Sequence, residues 1–590
     1  MSSMSALYLG LSGLVNNSNA LNTTANNMAN VNTKGYVRQQ VVFQDTHYNT
    51  TNRFATNTLQ KGHGVMIQDV SHVRDILLDE AYRKENGRYG FYDKLLNATD
   101  EIQTQLGELN GVSYQESMKD LLSAINEVSK TPDDNTARSA LVQSAVAFLD
   151  RSQAVYKGLV SYQSNLNTEI YNITNRINEI GEQIKTLNKQ IAQIESGVET
   201  AMTLRDERDL LLDELSGYAK IDYTEDARGV VSVMLEGQFF CDNMSVSHLG
   251  LSTVEGTDFY IPVWKEMNNE PLYNMEITMS TAKNTDIGSL KGLLAARGTI
   301  SPTYANMTAP AQTTITQMPD RADYGSDEDY NNAVAAYTAY RDYMSFEDCK
   351  DYSVLARTIA NFDKLVNSIV EKINDVLSPM KDATVTYVDD NGNTVTYTGK
   401  ILDTDKAGYG KDTDKSIGEE LFSRKYTDRY TKVTGTDGNT YYLYNTQNSF
   451  GTESLYTIAN LEINPKVLKD FSVLPFNQED GKVDYDRAKD LTAQFSEKYL
   501  TFGDGTEKMT FEKFYEALID DVGSEGNVYA SMVDNEQDLS NGLDDGRQAV
   551  MGVNSDEELT NMIRYQQAYN AASRYINVIT TMMDTVLQII

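Results

Sequence analysis

Near the start of the chain, apolar residues recur at alternating steps of four and three. Leu7, Leu11, Leu14, Ser18, Leu21, Ala25 and Met28 keep that spacing, which places them along one seam of a helix. The helix is predicted to fail at Asn30-Val31-Asn32-Thr33-Lys34-Gly35, a turn-rich stretch where Gly35 is free to become left-handed. At the other end Leu559, Met562, Gln566, Tyr569, Ser573, Ile576, Thr580, Met583, Leu587 and Ile590 repeat the spacing. A second row through Tyr565, Ala572, Ile579 and Val586 widens that stripe. A third run repeats heptad spacing from Leu141 through Phe148, Val155, Tyr162, Ile170, Ile177, Ile184 and Ile191 to Ile194, with one step of eight between Tyr162 and Ile170. It predicts a helix of roughly 80 Å at about 1.5 Å per residue. Tyr92, Leu95, Thr99, Ile102, Leu106 and Leu109 supply a neighbour for it, and a further helix is expected from Ser353 to Leu377, before Pro379.

The middle of the chain is different. All nine prolines lie between Pro132 and Pro475, so the ends are open to long helices and the middle is not. Val230 to Leu235 alternates between Gly229 and Gly237 and predicts a strand. Val385–Val388 and Val395–Tyr397 flank Asp390-Asn391-Gly392, and Asp437-Gly438 precedes Tyr441–Tyr444; both predict hairpins. Residues 299 to 345, rich in Thr, Ala, Tyr and Asp, are expected to form a surface insertion, helical near Tyr330 to Tyr343.

The fold class that follows is multidomain α+β. An elongated helical body carries terminal coiled-coil helices, with the N and C ends together, and β-rich domains are inserted into it. The expected division is an N-terminal axial helix segment (1–45), the first part of the helical body (46–218), a β-rich inserted domain (219–298) and a surface insertion (299–349). A helix returning to the body (350–379), a second β-rich insertion (380–458), the last part of the body (459–547) and a C-terminal axial helix (548–590) complete it.

Charge sharpens this picture at the ends. The chain is 23% charged, yet its first charged residue is Lys34, and from Tyr565 to Ile590 only Arg574 and Asp584 are charged. Asn16, Asn17, Asn19, Asn22, Asn26, Asn27, Asn30 and Asn32 stand where a solvated helix would use Glu and Lys. A solvated face has no reason to exclude charge. A face packed against identical neighbours does, because desolvating a charge is costly while amides both donate and accept. The candidate assembly residues are therefore Leu7, Leu11, Leu14, Leu21, Ala25, Met28, Asn26, Asn27, Asn30, Asn32, Gly35 and Tyr36 at one end. At the other they are Leu559, Met562, Tyr569, Ile576, Met583, Leu587 and Ile590. Such helices are marginal alone, so both ends are expected to be largely unfolded in the monomer and to fold on polymerising. The competing reading is a permanently folded antiparallel hairpin within one molecule. A membrane-surface helix is disfavoured by the lack of Lys and Arg on the polar faces.

These residues carry a resemblance. Ala20-Leu21-Asn22-Thr23-Thr24-Ala25-Asn26-Asn27-Met28-Ala29-Asn30-Val31-Asn32-Thr33, followed by Gly35-Tyr36, resembles the N-terminal signature of flagellar rod, hook and hook-associated proteins. Lys34 stands where that family often has proline. Gly552-Val553-Asn554-Ser555-Asp556-Glu557-Glu558, then Tyr565-Gln566-Gln567-Ala568-Tyr569 and Ala571, is similar to the family's end motif. Leu204-Arg205-Asp206-Glu207-Arg208-Asp209 through Ser216, and Thr510-Phe511-Glu512-Lys513-Phe514-Tyr515 with Arg547, resemble the hook-associated members more than hook or rod proteins. The resemblance implies export through the flagellar type III apparatus with an uncleaved N-terminal region, and a self-associated ring between hook and filament. The implied partners are the hook protein, the second junction protein FlgL, and the chaperone FlgN at the C-terminal helix. It also implies that the terminal helices form an inner tube.

The remaining chemistry points nowhere else. A net charge of -34 disfavours nucleic acid and anionic membranes as partners. Cys241 and Cys349 could form one bridge or stay free. His47, His63, His72 and His248 lack metal-ligand spacing, and no catalytic or phosphate-binding motif is present, so neither enzyme activity nor a cofactor is expected. Gly408-Tyr409-Gly410-Lys411 is too short for a phosphate cradle, and Asp389–Asn393 fits a hairpin better than a calcium loop. Another axial protein (hook, distal rod or filament subunit) is the nearest alternative. An axial protein carrying a hydrolase or surface-binding domain, for instance around Trp264 or the tyrosines at 324–343, is the next.

Overall fold

The computed structural model describes residues 3–46, 48–51, 59–107, 114–197, 200–310, 314–389, 392–447, 452–503 and 505–589. His47, Leu109, Asp390, Asn391 and Ile590 lie outside them.

The first seam becomes α1 (Ser3–Ala29). At Gly35 the backbone takes φ +78°, and a Cβ there would stand 2.5 Å from the side chain of Leu210. Glycine is needed twice, for the left-handed turn and for the close approach. Two antiparallel hairpins follow. β1 (Gln39–Asp45) pairs with β4 (Val65–His72), and β2 (Tyr48–Thr51) pairs with β3 (Leu59–Gly62) between them. The sequence pattern predicts no strand here. β1 alternates half-buried and exposed positions, but its residues, Gln-Gln-Val-Val-Phe-Gln-Asp, do not alternate in type.

The helical body begins with α2 (Ile76–Leu106), whose first turn is capped by the Asp75 carboxylate accepting from the Leu77 and Leu78 N–H groups. α3 (Tyr114–Lys130), α4 (Asn135–Glu195) and α5 (Met202–Tyr218) follow. α4 is one continuous helix of 61 residues, roughly 90 Å at 1.5 Å per residue. Its buried row departs from the strict heptad at one place. Gln163, not Tyr162, faces inward, so Ser152, Val155, Leu159 and Gln163 span eleven residues before the heptads resume. The Gln163 amide is fully used, donating to the carbonyls of Arg297 and Ile300. A tyrosine in the apolar register had concealed a buried polar residue one place on.

β5 (Ile221–Glu225), β6 (Val231–Leu235) and β7 (Gln238–Cys241) form a three-stranded sheet; β8 (Leu249–Thr253), β9 (Tyr260–Trp264) and β10 (Glu270–Pro271) form another. Then come α6 (Ser289–Arg297), α7 (Asp327–Cys349) and α8 (Val354–Leu377). α7 is only partly a surface insertion, since its last turn buries Phe346 and Cys349 against Ala356 and Ala360 of α8. β11 (Met380–Val388) and β12 (Thr394–Leu402) form the expected hairpin, with Val388 opposite Thr394. β13 (Phe422–Arg424) lies apart. β14 (Tyr430–Thr434) and β15 (Thr440–Tyr444) form the second hairpin and complete a four-stranded sheet in the order β11-β12-β15-β14. β16 (Leu461–Ile463) pairs with β13. α9 (Pro465–Lys469), α10 (Tyr485–Gln494), α11 (Phe511–Met551) and α12 (Ser555–Ile589) end the chain. α11 runs antiparallel to α2: Gly526 faces Thr99 and Gly546 faces Leu78.

One apolar core joins α2 through α6, α8, α10, α11 and strands β6 to β9. Trp264 is buried in it, so no surface patch forms around that residue. Cys241 and Cys349 are both buried and free. The architecture is multidomain α+β with helices at both ends.

Candidate assembly interface

α1 and α12 pack against each other antiparallel. A Cβ on Gly10 would meet Ile576 Cγ1 at 2.6 Å, and Gly13 faces Ala572. Glycine at position 10 thus sets how closely the helices approach. The inward row on α12 is Met562, Tyr565, Tyr569, Ala572, Ile576, Ile579 and Met583, all half-buried. On α1 the most deeply buried positions are Gly10, Ala20, Thr24 and Asn27. Leu7, Leu14, Leu21 and Met28 are half-covered, while Leu11 and Ala25 are exposed. The spacing found the helix but not the row of small residues along which it is most tightly packed.

The amides divide into two groups. Asn27 is spent within the molecule: its Oδ1 accepts from the Tyr36 hydroxyl at 2.8 Å and the Gln39 N–H at 3.1 Å, and its Nδ2 donates to the Gln39 carbonyl at 2.9 Å. Asn16 likewise donates to the Val65 carbonyl of β4. Asn26 and Asn32 are exposed, and Asn30 bonds back to Asn26. Burial, with Asp206 and Glu558 nearby, pushes the Tyr36 phenol up to about 12, so it stays a donor to Asn27.

The root of the pair is polar. The Arg38 N–H donates to the Met551 carbonyl at 2.8 Å, and its guanidinium reaches Glu557 and Glu558, each at 3.0 Å. The Val37 N–H donates to Asp206 of α5. Beyond it Arg74 pairs with Asp79 and Asp209, Arg83 with Asp213, and Arg547 with Asp79 and Asp213. Burial raises the Asp206 carboxyl to about 7 and lowers His72, 3.5 Å away, to about 4.

The outer surface of the pair carries open apolar rows among polar residues. Met4, Tyr8, Leu11 and Val15 form an exposed row on α1, and Tyr575, Val578, Met582 and Val586 form another on α12. Leu559 and Ile563 are exposed at the start of α12, and Leu587, 69% exposed, lies near its end. Among the candidates, Met562, Tyr569, Ile576 and Met583 hold the pair together, whereas Leu11, Leu559 and Leu587 face outward. Met4, Tyr8, Val15, Ile563, Val578 and Met582 were missed, although the same three-and-four spacing marks them as second rows. Fully burying one such aliphatic side chain is worth about 1.5–3 kcal/mol, so a lone molecule leaves a large favourable term unrealised. Among the described residues no group of metal-binding side chains occurs and no helix is long and apolar enough to cross a membrane.

Comparison with known proteins gives three family matches. Residues 99–334 match the flagellar hook-associated protein FlgK helical domain, residues 7–36 the flagella basal body rod protein family, and residues 545–589 the flagellar basal body rod FlgEFG protein C-terminal family. The flagellar hook-associated protein 1 of Bacillus subtilis is 24% identical over 96% of this chain and 94% of its own. That of Salmonella typhimurium is 23% identical over 98% of both. A solved structure, the flagellar hook junction protein FlgK from Burkholderia pseudomallei, aligns with TM-score 0.43 and 13% identity, covering 81% of this chain and all of that one.

Proposed function

We infer for this chain, which belongs to the family of the flagellar hook-associated protein FlgK, that it is a structural subunit of the bacterial flagellum forming the junction between hook and filament. The observation that carries the mechanism is the paired α1 and α12 with their open apolar rows, in which no residue is charged. The ends are not unfolded in the single molecule, as the sequence leads one to expect, but form the competing arrangement, an antiparallel pair of helices, and this pair is half of an interface. Copies of the chain bury these rows against one another, which supplies the favourable free energy of ring formation without desolvating charges. Leu11, Leu559 and Leu587 make contacts between copies, while the inward seam holds each pair in register.

In this reading residues 1–45 and 548–590 are the axial part, 46–218, 350–379 and 459–547 the helical body, and 219–298, 299–349 and 380–458 its outward additions. The chain leaves the cell through the flagellar type III apparatus. It then meets the hook protein below and FlgL above, and before export α12 is held by the chaperone FlgN. An exposed apolar helix needs such a cover in the cytoplasm. It acts by assembly rather than by catalysis. The rod-type matches fall only on the two ends, while the hook-associated match covers residues 99–334, part of the body and its additions, which favours a junction protein over a hook or rod subunit.

Gene deletion with electron microscopy tests the reading. Completed hooks, no filaments, and filament subunits lost to the medium are expected. Normal filaments on the deletion strain would overturn it.

A further inference from the structure

A groove of about 610 Å3 lies between the β13–β16 pair and one face of the β14–β15 hairpin. In β13 Phe422 and Arg424 are buried, so Ser423 between them turns the other way and lines the groove, directly opposite Glu462 of β16. On the hairpin Lys432 stands opposite Tyr442, and both line the groove. Tyr426, in the link from β13 to β14, lines it too and is 72% exposed.

Most charged groups of the groove are spent within the chain. Lys466 pairs with Glu419 at 2.7 Å, Lys425 donates to the Ala459 carbonyl at 2.6 Å, and the buried Arg429 reaches Glu420 and Asp375. Others are not. Among the described residues the Ser423 hydroxyl is buried without a hydrogen-bond partner, the Glu462 carboxylate and the Tyr442 hydroxyl have none, and the Lys432 ammonium meets only the Tyr442 ring, 6.0 Å away. Basic side chains outnumber acidic ones around the groove, although in the whole chain acids outnumber bases 85 to 51. The local charge is thus reversed where the unused groups converge.

We propose that this groove binds a sugar that carries a carboxylate, such as a uronic acid unit of an oligosaccharide. The volume falls within the roughly 300–1,000 Å3 of ligand pockets, and each unused group has a counterpart on such a ring. The C–H face of the sugar covers the rings of Tyr426 and Tyr442, as apolar surface covers aromatic surface elsewhere. Its hydroxyls donate to the Glu462 carboxylate and exchange hydrogen bonds with Ser423. Its carboxylate takes the Lys432 ammonium in a charge-assisted bond. An acidic peptide satisfies Lys432 but brings further carboxylates against Glu462 and no row of hydroxyls to donate to it. The groove shares no residue with α1, α11 or α12, so the proposal stands apart from the assembly reading.

Titration calorimetry on the purified full chain tests it, with trigalacturonic acid, maltotriose and triaspartate as probes. Trigalacturonic acid is expected to bind about tenfold or more tightly than either of the others. Tyr426→Ala removes an exposed side chain, so it is expected to keep the melting curve while weakening trigalacturonate binding about tenfold. Lys432→Gln is expected to abolish the preference over maltotriose. No binding of trigalacturonic acid, equal binding of maltotriose or triaspartate, or unchanged binding by Tyr426→Ala overturns the proposal. Filaments are expected to form normally in a strain carrying Tyr426→Ala; their loss would mean that the groove serves assembly instead.

Discussion

Glu536 is buried where α11 crosses α2, with the carboxylates of Glu85 and Asp286 and the Arg88 guanidinium around it. Burial, and then its hydrogen bond with Glu85, push its carboxyl from 4.5 up to about 7. The folded state therefore holds a proton that the unfolded chain releases. That contribution is fully present below pH 4.5 and is lost as pH rises through about 7. Asp363, buried on α8 and accepting the Tyr304 and Ile458 N–H groups, is raised to about 7 by burial and acts in the same sense. Melting temperature is thus expected to fall between pH 5 and 8. Glu536→Gln, whose amide can donate to Glu85 at every pH, should flatten the slope; an unchanged slope would remove Glu536 from the account. Gly35 is the other sensitive residue. Gly35→Ala combines a left-handed φ with a collision against Leu210, and should cost more than about 1 kcal/mol in urea unfolding. Adding Leu210→Ala should restore only the steric part, and full restoration would show that backbone strain is absent.

At the scale of elements, the pair of end helices divides its residues by role. Gly10→Leu places a large side chain where a Cβ already meets Ile576 at 2.6 Å. It is expected to part α1 from α12, measured as faster hydrogen exchange in both. Leu587→Glu lies on the open side, so it should leave exchange unchanged and abolish incorporation into flagella. Equal behaviour of the two variants would mean that inner and outer rows are not distinct. The helices α1, α2, α4 and α12 were legible in the sequence because three-and-four spacing survives in them, whereas α3, α6 and α10 went unread. The side each row faces was not legible, because inner and outer rows share that spacing. Asn27 looked like a residue for neighbours and instead fastens α1 to Gln39. The hairpins at 39–72 escaped because short polar strands lack alternation, and Gln163 escaped because its neighbour Tyr162 fits the heptad better.

At the scale of the whole molecule, the distribution of charge decides how assembly responds to salt. Copies of a chain with net charge -34 repel one another at long range. The open apolar rows of the end helices contain no charge of their own. Added salt therefore screens the repulsion without weakening an attractive ion pair. The screening length falls from about 30 Å at 0.01 M to about 10 Å at 0.1 M, so most of the gain should come within that range. Self-association of the purified chain, followed by analytical ultracentrifugation, is expected to strengthen steeply up to about 0.1 M and to level off beyond it. An interface built on salt bridges would do the reverse and loosen with every addition of salt. Weakening association over this range would mean that the copies are held together by charged surfaces outside the apolar rows of the end helices.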